Sequence, residues 1–222
     1  MPDPRRGTLL VMGAGGHGKV VAETAEAAGW SDVRFLDDRV PTGSRVAAWP
    51  VEGTFPTALQ AAKGTSVVVA VGDNALRLDW IDRLARLGID CPAIVSPHAI
   101  VSSRASIGEG TVVVAGAIVA IAARIGRACI VNTACSIDHD CEIGDGTHVS
   151  PGARLGGGVI VGARSWIGIG ATVRNDLRIG TDAVIGAGST VVRPVADGST
   201  VIGVAAQPKR RDASESAHPP VG

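Results

Sequence analysis

The sequence predicts an α/β unit followed by a solenoid of short parallel strands, and two observations carry that expectation. From Val95 to Val191 every sixth residue is aliphatic, seventeen positions in succession. Before Ile94 this period is absent, and apolar strand-like runs alternate with helix-like stretches. A period of six fits neither a helix, which repeats at about 3.6, nor a strand, which repeats every second residue. It fits a prism-shaped coil in which each flat side sends one branched side chain into a shared core. Two residues before the aliphatic position stands a small one, as at Ala105, Thr111, Ala117, Ala123, Cys129, Cys135, Cys141, Thr147 and Ala153. Small side chains suit the narrow corners of such a prism.

In chain order, Thr8–Met12 reads as an apolar strand and Lys19–Ala28 as a helix closed by Gly29. Val33–Leu36 is a second strand, and Ser66–Val71, with its β-branched run, a third. Ala75–Leu87 reads as an amphipathic helix with Leu76, Trp80, Leu84 and Leu87 on one face, stopped by Gly88. Alternation of this kind implies a small parallel sheet flanked by helices, a Rossmann-like unit. The expected division is an α/β nucleotide-binding domain over 1–92, the coil over 93–207, and a disordered tail over 208–222.

Composition narrows the function. The 222 residues include 21 basic and 21 acidic ones, which gives no electrostatic reason to expect nucleic acid or an anionic membrane as partner. No apolar run approaches the roughly 18–20 residues of a membrane span. The opening Met1–Arg6 lacks a signal peptide's hydrophobic segment. Three of the four cysteines fall in the small-residue slot on different sides of the prism, so they read as buried thiols of a reduced, cytoplasmic protein.

Two motifs carry chemistry. Gly13-Ala-Gly15-Gly16-His17-Gly18 fits G-x-G-x-x-G after a strand and before a helix, with Asp37 and Asp38 ending the next strand. Glycines there let backbone N–H groups approach a phosphate at a helix N-terminus. One such mononucleotide half suits a ligand with a single nucleoside and a diphosphate, and Gly72 ends the third strand at the same sheet edge. In the coil, His139 adjoins Asp138 and Asp140, and one coil later its position is Gly157, within Gly156-Gly157-Gly158. A glycine stacked over a base leaves space for a substrate and a bare amide to donate to an oxyanion. Either Asp140 or Asp138 is placed to support the imidazole. His148 has Trp166 one coil on, an apolar wall. A zinc site needs at least three protein ligands; two well-placed histidines with inward cysteines do not supply them, so no metal is expected.

The whole arrangement resembles the hexapeptide-repeat, left-handed parallel β-helix sugar acetyltransferases typified by the bacillosamine-pathway enzyme, with sialic acid O-acetyltransferases as relatives. Gly13–Lys19, Phe35–Asp38 and Val71–Asn74 look like that family's N-terminal signatures, and Asn132, His139-Asp140 and His148–Ala153 like its catalytic coil. The resemblance implies His139 as general base with Asp140 beside it, and acetyl-CoA contacts from His148, Gly157, Ile169 and Ala187. It implies a nucleotide-sugar site built from Gly15, Gly16, His17, Asp37, Asp38 and Gly72, with Asn132 also on the substrate. The expected reaction is N-acetylation of a UDP- or GDP-linked amino sugar at C4, for surface glycans, by a homotrimer. The outward Ile121, Ile130, Ile160 and Trp166 agree with such an assembly. The alternatives are O-acetylation of a sialic-acid-type sugar and a non-catalytic nucleotide-binding β-helix.

Overall fold

A computed structural model describes residues 7–203; the tail expected over 208–222 lies outside the described residues. The N-terminal unit runs β1 (Thr8–Met12), α1 (Gly16–Ala27), β2 (Asp32–Leu36), β3 (Arg45–Val46), β4 (Trp49–Gly53), a 3-10 helix (Phe55–Gln60), β5 (Ser66–Val69) and α2 (Asn74–Arg86). The sheet order is β3-β4-β2-β1-β5, parallel except where β3 meets β4. Strand β1 lies between β2 and β5 and is apolar after Thr8, so Leu9, Val11 and Met12 are sealed between helices on both faces. The β3–β4 hairpin was not legible in the sequence, because Trp49-Pro50-Val51-Glu52-Gly53 carries a proline and alternates weakly. β5 stops at Val69 rather than Val71, which leaves Val71 and Gly72 as a loop at the carboxyl edge of the sheet.

The inward face of α2 is rotated from the expected one: Trp80 and Leu84 are buried as expected, but the other two positions are not. Leu76 and Leu87 are exposed, whereas Arg77, Trp80, Ile81 and Leu84 are buried. The inward stripe therefore includes an arginine, and apolarity alone could not have placed it.

From Ile94 the chain winds into two-residue strands that form three parallel sheets. The first face holds seven strands, from Ile94–Val95 to Thr200–Val201; the second six, from Ile100–Val101 to Thr190–Val191; the third five, from Ser106–Ile107 to Arg178–Ile179. Strands eighteen residues apart pair in register, as Ile137 with Leu155. The aliphatic residue of each pair points inward, and from Val113 to Val191 all fourteen belong to one continuous core. Val95, Val101 and Ile107 are only partly buried, since they lie at the open beginning of the coil. The small slots behave as expected, with Ala117, Ala123, Cys129, Cys135, Cys141 and Ala153 at 0 % exposure and all four cysteines free. Where the slot residue is polar it bonds a carbonyl fifteen residues on, as Thr147 Oγ1 to Gly162.

Corners impose a second six-residue rhythm. From Gly110 to Gly188 every sixth residue has a left-handed φ, and seven of these positions are not glycine, among them Ala128 (φ 53), Asp140 (φ 59) and Arg164 (φ 56). Each such conformation costs about 1–2 kcal/mol for an L-residue. At six of the seven, all but Ala122, the N–H bonds a carbonyl one coil back, as Asp140 N to Ile121 O, which offsets that cost. Of the outward residues expected at a trimer face, Ile121, Ile160 and Trp166 are exposed, but Ile130 is 1 % exposed. Ile130 lies early on the first face, between the Val112 and His148 strands, where the neighbouring Val112 and Val114 pack into the core of the α/β unit.

Candidate active site

His139 and Asp140 form the turn between the second and third faces. The backbone N–H of His139 donates to Asp138 Oδ1 at 2.8 Å, and its Nδ1 meets Asp140 Oδ2 at 2.8 Å. The left-handed backbone at Asp140 folds the short carboxylate back onto the preceding ring, so Asp140 is the residue that reaches the imidazole. That hydrogen bond, followed by the charge of Asp138, raises the His139 pKa above its ordinary 6.5. With Nδ1–H given to a carboxylate, the neutral ring presents its lone pair at Nε2. The side chain is 57 % exposed, so Nε2 is reachable. The space expected above His139 is not empty: the imidazole itself occupies it. A Cβ on Gly157 would stand 2.5 Å from both Cε1 and Nε2 of His139. Glycine at 157 is therefore what lets the ring lie flat on the next coil.

His148 belongs to the first face, beside the α/β unit. Asn132 Oδ1 accepts from the Thr133 N–H, which turns Nδ2 toward His148 Nε2 at 3.1 Å. The ring leans on Trp166, with centroids 5.0 Å apart, and Trp166 Nε1 is anchored on Ser150 Oγ. Burial, then the charges of Arg77 and His17, lower the His148 pKa to about 3. His17, in the first turn of α1, is lowered to about 4 by burial and by Arg77. His17 Nε2 and His148 Nδ1 are both buried without a partner among the described residues. The glycine-loop histidine and a coil histidine thus share one electrostatic neighbourhood, in which burial and the Arg77 charge favour the neutral form of both imidazoles.

Around His17 the loop is shaped by its glycines. A Cβ on Gly18 would lie 1.9 Å from Gly13 O, whereas Gly15 and Gly16 are open and α1 starts with no side-chain cap. Its first N–H groups are free for an anion. Asp37 holds this loop: Oδ2 accepts from Ala14 N at 2.7 Å and Oδ1 from Arg39 N and Val40 N. Asp38 Oδ1 accepts from Phe55 N. Gly72 is exposed at the same edge, its carbonyl facing Arg77.

Ile169 and Ala187 are stacked one coil apart at the corner between the first and second faces, both exposed, with Gly188 N bonded to Ile169 O. One chain therefore spreads the expected site residues over three places. His139, Asp140 and Gly157 hold one corner; Ile169 and Ala187 hold another; Asn132 and His148 lie on the face that meets the glycine loop. Arg77 and Asn74, on α2, were missed. The available signal was their place among the inward positions of a helix whose other inward residues are Trp80, Ile81 and Leu84. No group of three or more His, Cys, Asp or Glu in metal-holding reach occurs among the described residues.

Comparison with known proteins follows the same division. Residues 8–84 match the PglD N-terminal domain, and 158–193 match the bacterial transferase hexapeptide, six repeats. The acetyltransferase domain of PglB from Neisseria gonorrhoeae, solved with acetyl coenzyme A, is 42 % identical, with a TM-score of 0.86 over 88 % of this chain and 96 % of that one. The chain belongs to the hexapeptide-repeat sugar N-acetyltransferases. PerB from Caulobacter crescentus, solved with CoA and GDP-perosamine, is 36 % identical, with a TM-score of 0.82 over 89 % and 94 % of the two chains. WeeI from Acinetobacter baumannii is 26 % identical, with a TM-score of 0.79 over 88 % and 96 %. No curated protein matches the chain. As in its family, this acyltransferase joins a Rossmann-like unit to a left-handed parallel β-helix.

Proposed function

We propose that this acyltransferase moves the acetyl group of acetyl-CoA onto the C4 amino group of a nucleotide-linked amino sugar, with His139 as general base. The observation that carries the reading is the His139 geometry: Nδ1 is spent on Asp140, Nε2 is accessible, and Gly157 seats the ring. The sugar amine attacks the thioester carbon as Nε2 takes its proton; the C–N bond forms. The tetrahedral oxyanion then collapses, the C–S bond breaks, and the departing coenzyme thiolate takes the proton from His139. Proximity, one base and an oxyanion donor suffice, and the Gly157 amide, on the residue that seats the ring, is the candidate for the last role.

The ligands of the relatives support the two-substrate reading: acetyl coenzyme A in PglB, CoA with GDP-perosamine in PerB. Two PerB structures with those ligands carry a histidine replaced by asparagine or alanine. In this chain Gly15, Gly16 and His17 at the start of α1 receive the diphosphate, while Asp37, Asp38 and Gly72 border the nucleoside and Asn132 the sugar. His148, Gly157, Ile169 and Ala187 line the coenzyme groove. The separation of Ile169 and Ala187 from the His139 corner within one chain, with exposed Ile121, Ile160 and Trp166, supports a homotrimer that completes each site with a second copy. The working division remains 1–92 for the nucleotide and 93–207 for transfer. Buried free thiols and the lack of any helix, among the described residues, long and apolar enough to cross a membrane support a cytoplasmic site of action.

The test is a panel of UDP- and GDP-linked amino sugars with acetyl-CoA, read by thiol release and product mass, on wild type and His139→Ala. Turnover of the preferred acceptor should fall by about 10²–10⁴-fold in the folded variant. Acetylation of a sialic-acid hydroxyl in preference to every amino sugar would replace this reading with O-transfer.

A further inference from the structure

Arg77 is the one charged side chain among the described residues that is fully buried. Its five N–H donors are all engaged: Nε with Ala128 O at 2.7 Å, Nη1 with Val71 O at 2.9 Å and Gly72 O at 3.3 Å, Nη2 with Asn74 Oδ1 and Gly146 O at 2.7 Å. Asn74 Nδ2 continues the grip onto Arg164 O at 3.0 Å and Ser165 O at 3.1 Å. Ala128, Gly146 and Arg164 are successive positions of one corner, between the third and first faces, each a coil apart. Two side chains one helical turn apart thus hold the same corner of three coils.

Among the described residues no carboxylate is in ion-pair contact with this guanidinium; carbonyls and one side-chain amide take its hydrogen bonds, and the charge of Asp73 reaches it from the start of α2. Burying an ion costs several kcal/mol, and an apolar residue of similar volume serves packing at least as well. An arginine kept here answers to what its fork joins. Val71 and Gly72 form the loop after β5, at the sheet edge that also carries the glycine loop; Ala128 and Gly146 belong to the coil, and Gly146 lies two residues before His148. The guanidinium charge is felt at both His17 and His148, which places it between the nucleotide loops and the coil.

We infer that Arg77 is a positioning residue for acetyl transfer: it sets the register of the nucleotide-binding edge on the coil, so that an acceptor anchored by its nucleotide delivers its amine to the reacting corner. Arg77 touches neither substrate and acts through Val71, Gly72 and the coil carbonyls. The inference rests on the nucleotide-linked acceptor proposed above. A displacement of about 1 Å between anchor and reacting atoms costs on the order of 10²-fold in rate, so loss of register should show as loss of the advantage that the nucleotide confers.

The test compares UDP- and GDP-linked 4-amino-4,6-dideoxy sugars with the same sugars as 1-phosphates, on full-length wild type, Arg77→Lys, Arg77→Met and Asn74→Ala. The ratio of kcat/KM for linked over unlinked acceptor should fall by about 10²-fold in Arg77→Met and by less in Arg77→Lys and Asn74→Ala. The KM for acetyl-CoA should hold. A merely structural Arg77 lowers both acceptors in proportion and leaves the ratio unchanged, which overturns the inference. If Arg77→Met does not fold, Arg77→Lys and Asn74→Ala carry the same comparison. A wild type without nucleotide preference removes the acceptor reading and this inference with it; a wild-type preference that survives in every folded variant removes this inference alone.

Discussion

The smallest decisive feature is the contact of His139 with its two neighbours, Asp140 in sequence and Gly157 in space. Asp140 raises the imidazole pKa, and a base works only when neutral, so kcat/KM should rise with pH through an acid limb above 6.5. Removing the anion in Asp140→Asn should move that limb to lower pH and lower the plateau, because the base is weaker. A pH profile with an unmoved limb would show that Asp140 does not tune His139. Gly157→Ala probes the other neighbour. Its Cβ would overlap Cε1 and Nε2 of the ring, and the conformation at 157 is not left-handed, so the effect is steric rather than backbone strain. We expect a folded protein with kcat lowered by tenfold or more, as misplacement of a reacting group on the order of 1 Å costs up to about 10²-fold. Unchanged kcat in Gly157→Ala would place the reactive ring elsewhere.

At the scale of elements, α2 and the coil fit because their repeats nearly match. Helix residues three or four apart advance about 4.5–6 Å, and parallel strands stack about 4.7–4.9 Å apart. Ile81 accordingly lies on Gly110, Arg77 on Ala128, and Asn74 on Gly146 and Arg164. One turn of helix meets one turn of coil. The corner must be small where the helix lies: a Cβ on Gly146 would stand 3.2 Å from Asn74 O and 3.4 Å from the Leu78 Cβ, whereas one on Gly152, also left-handed, meets nothing. Gly146→Ala should therefore destabilise more than Gly152→Ala, by about 1 kcal/mol or more, in urea unfolding. Equal losses would mean that the two units do not depend on this contact.

At the scale of the whole molecule, the three faces distribute the chemistry. His139 and Gly157 sit at one corner and Ile169 with Ala187 at another, so a single copy does not bring the proposed base and the whole of the proposed coenzyme groove to one point. Cyclic association of three copies repeats one heterologous contact and closes without remainder. Light scattering at assay concentration should find a trimer. Mixing His139→Ala chains with chains altered at Ile169 should restore activity in the mixed trimers. A competent monomer, or no restoration on mixing, would place each site within one chain.

The coil could be read from residue types alone, because every turn of it repeats the same local problem. An aliphatic residue fills the core, a small one fits the corner, and six residues later the problem recurs from Val95 to Val191. The glycine loop was legible in part for a similar reason: a Cβ on Gly18 would strike the carbonyl of Gly13, five residues away, whereas Gly13 answers to Ala70 at the end of β5. His139 and Gly157 could be paired by counting eighteen. Counting could not show that the ring fills the space above Gly157, since a side chain's rotamer is chosen by its neighbours. Nor did it find Arg77: a helical wheel sets position 77 beside Trp80, Ile81 and Leu84, but a charged side chain there reads as outward. Only the packing of α2 on the coil, with carbonyls from two distant segments converging on one guanidinium, makes a buried arginine the lower-energy choice. The same long-range packing covered Ile130 and uncovered Leu76 and Leu87. Periodic local rules settle the coil, and the non-local contact between the two units decides how its chemistry is aimed.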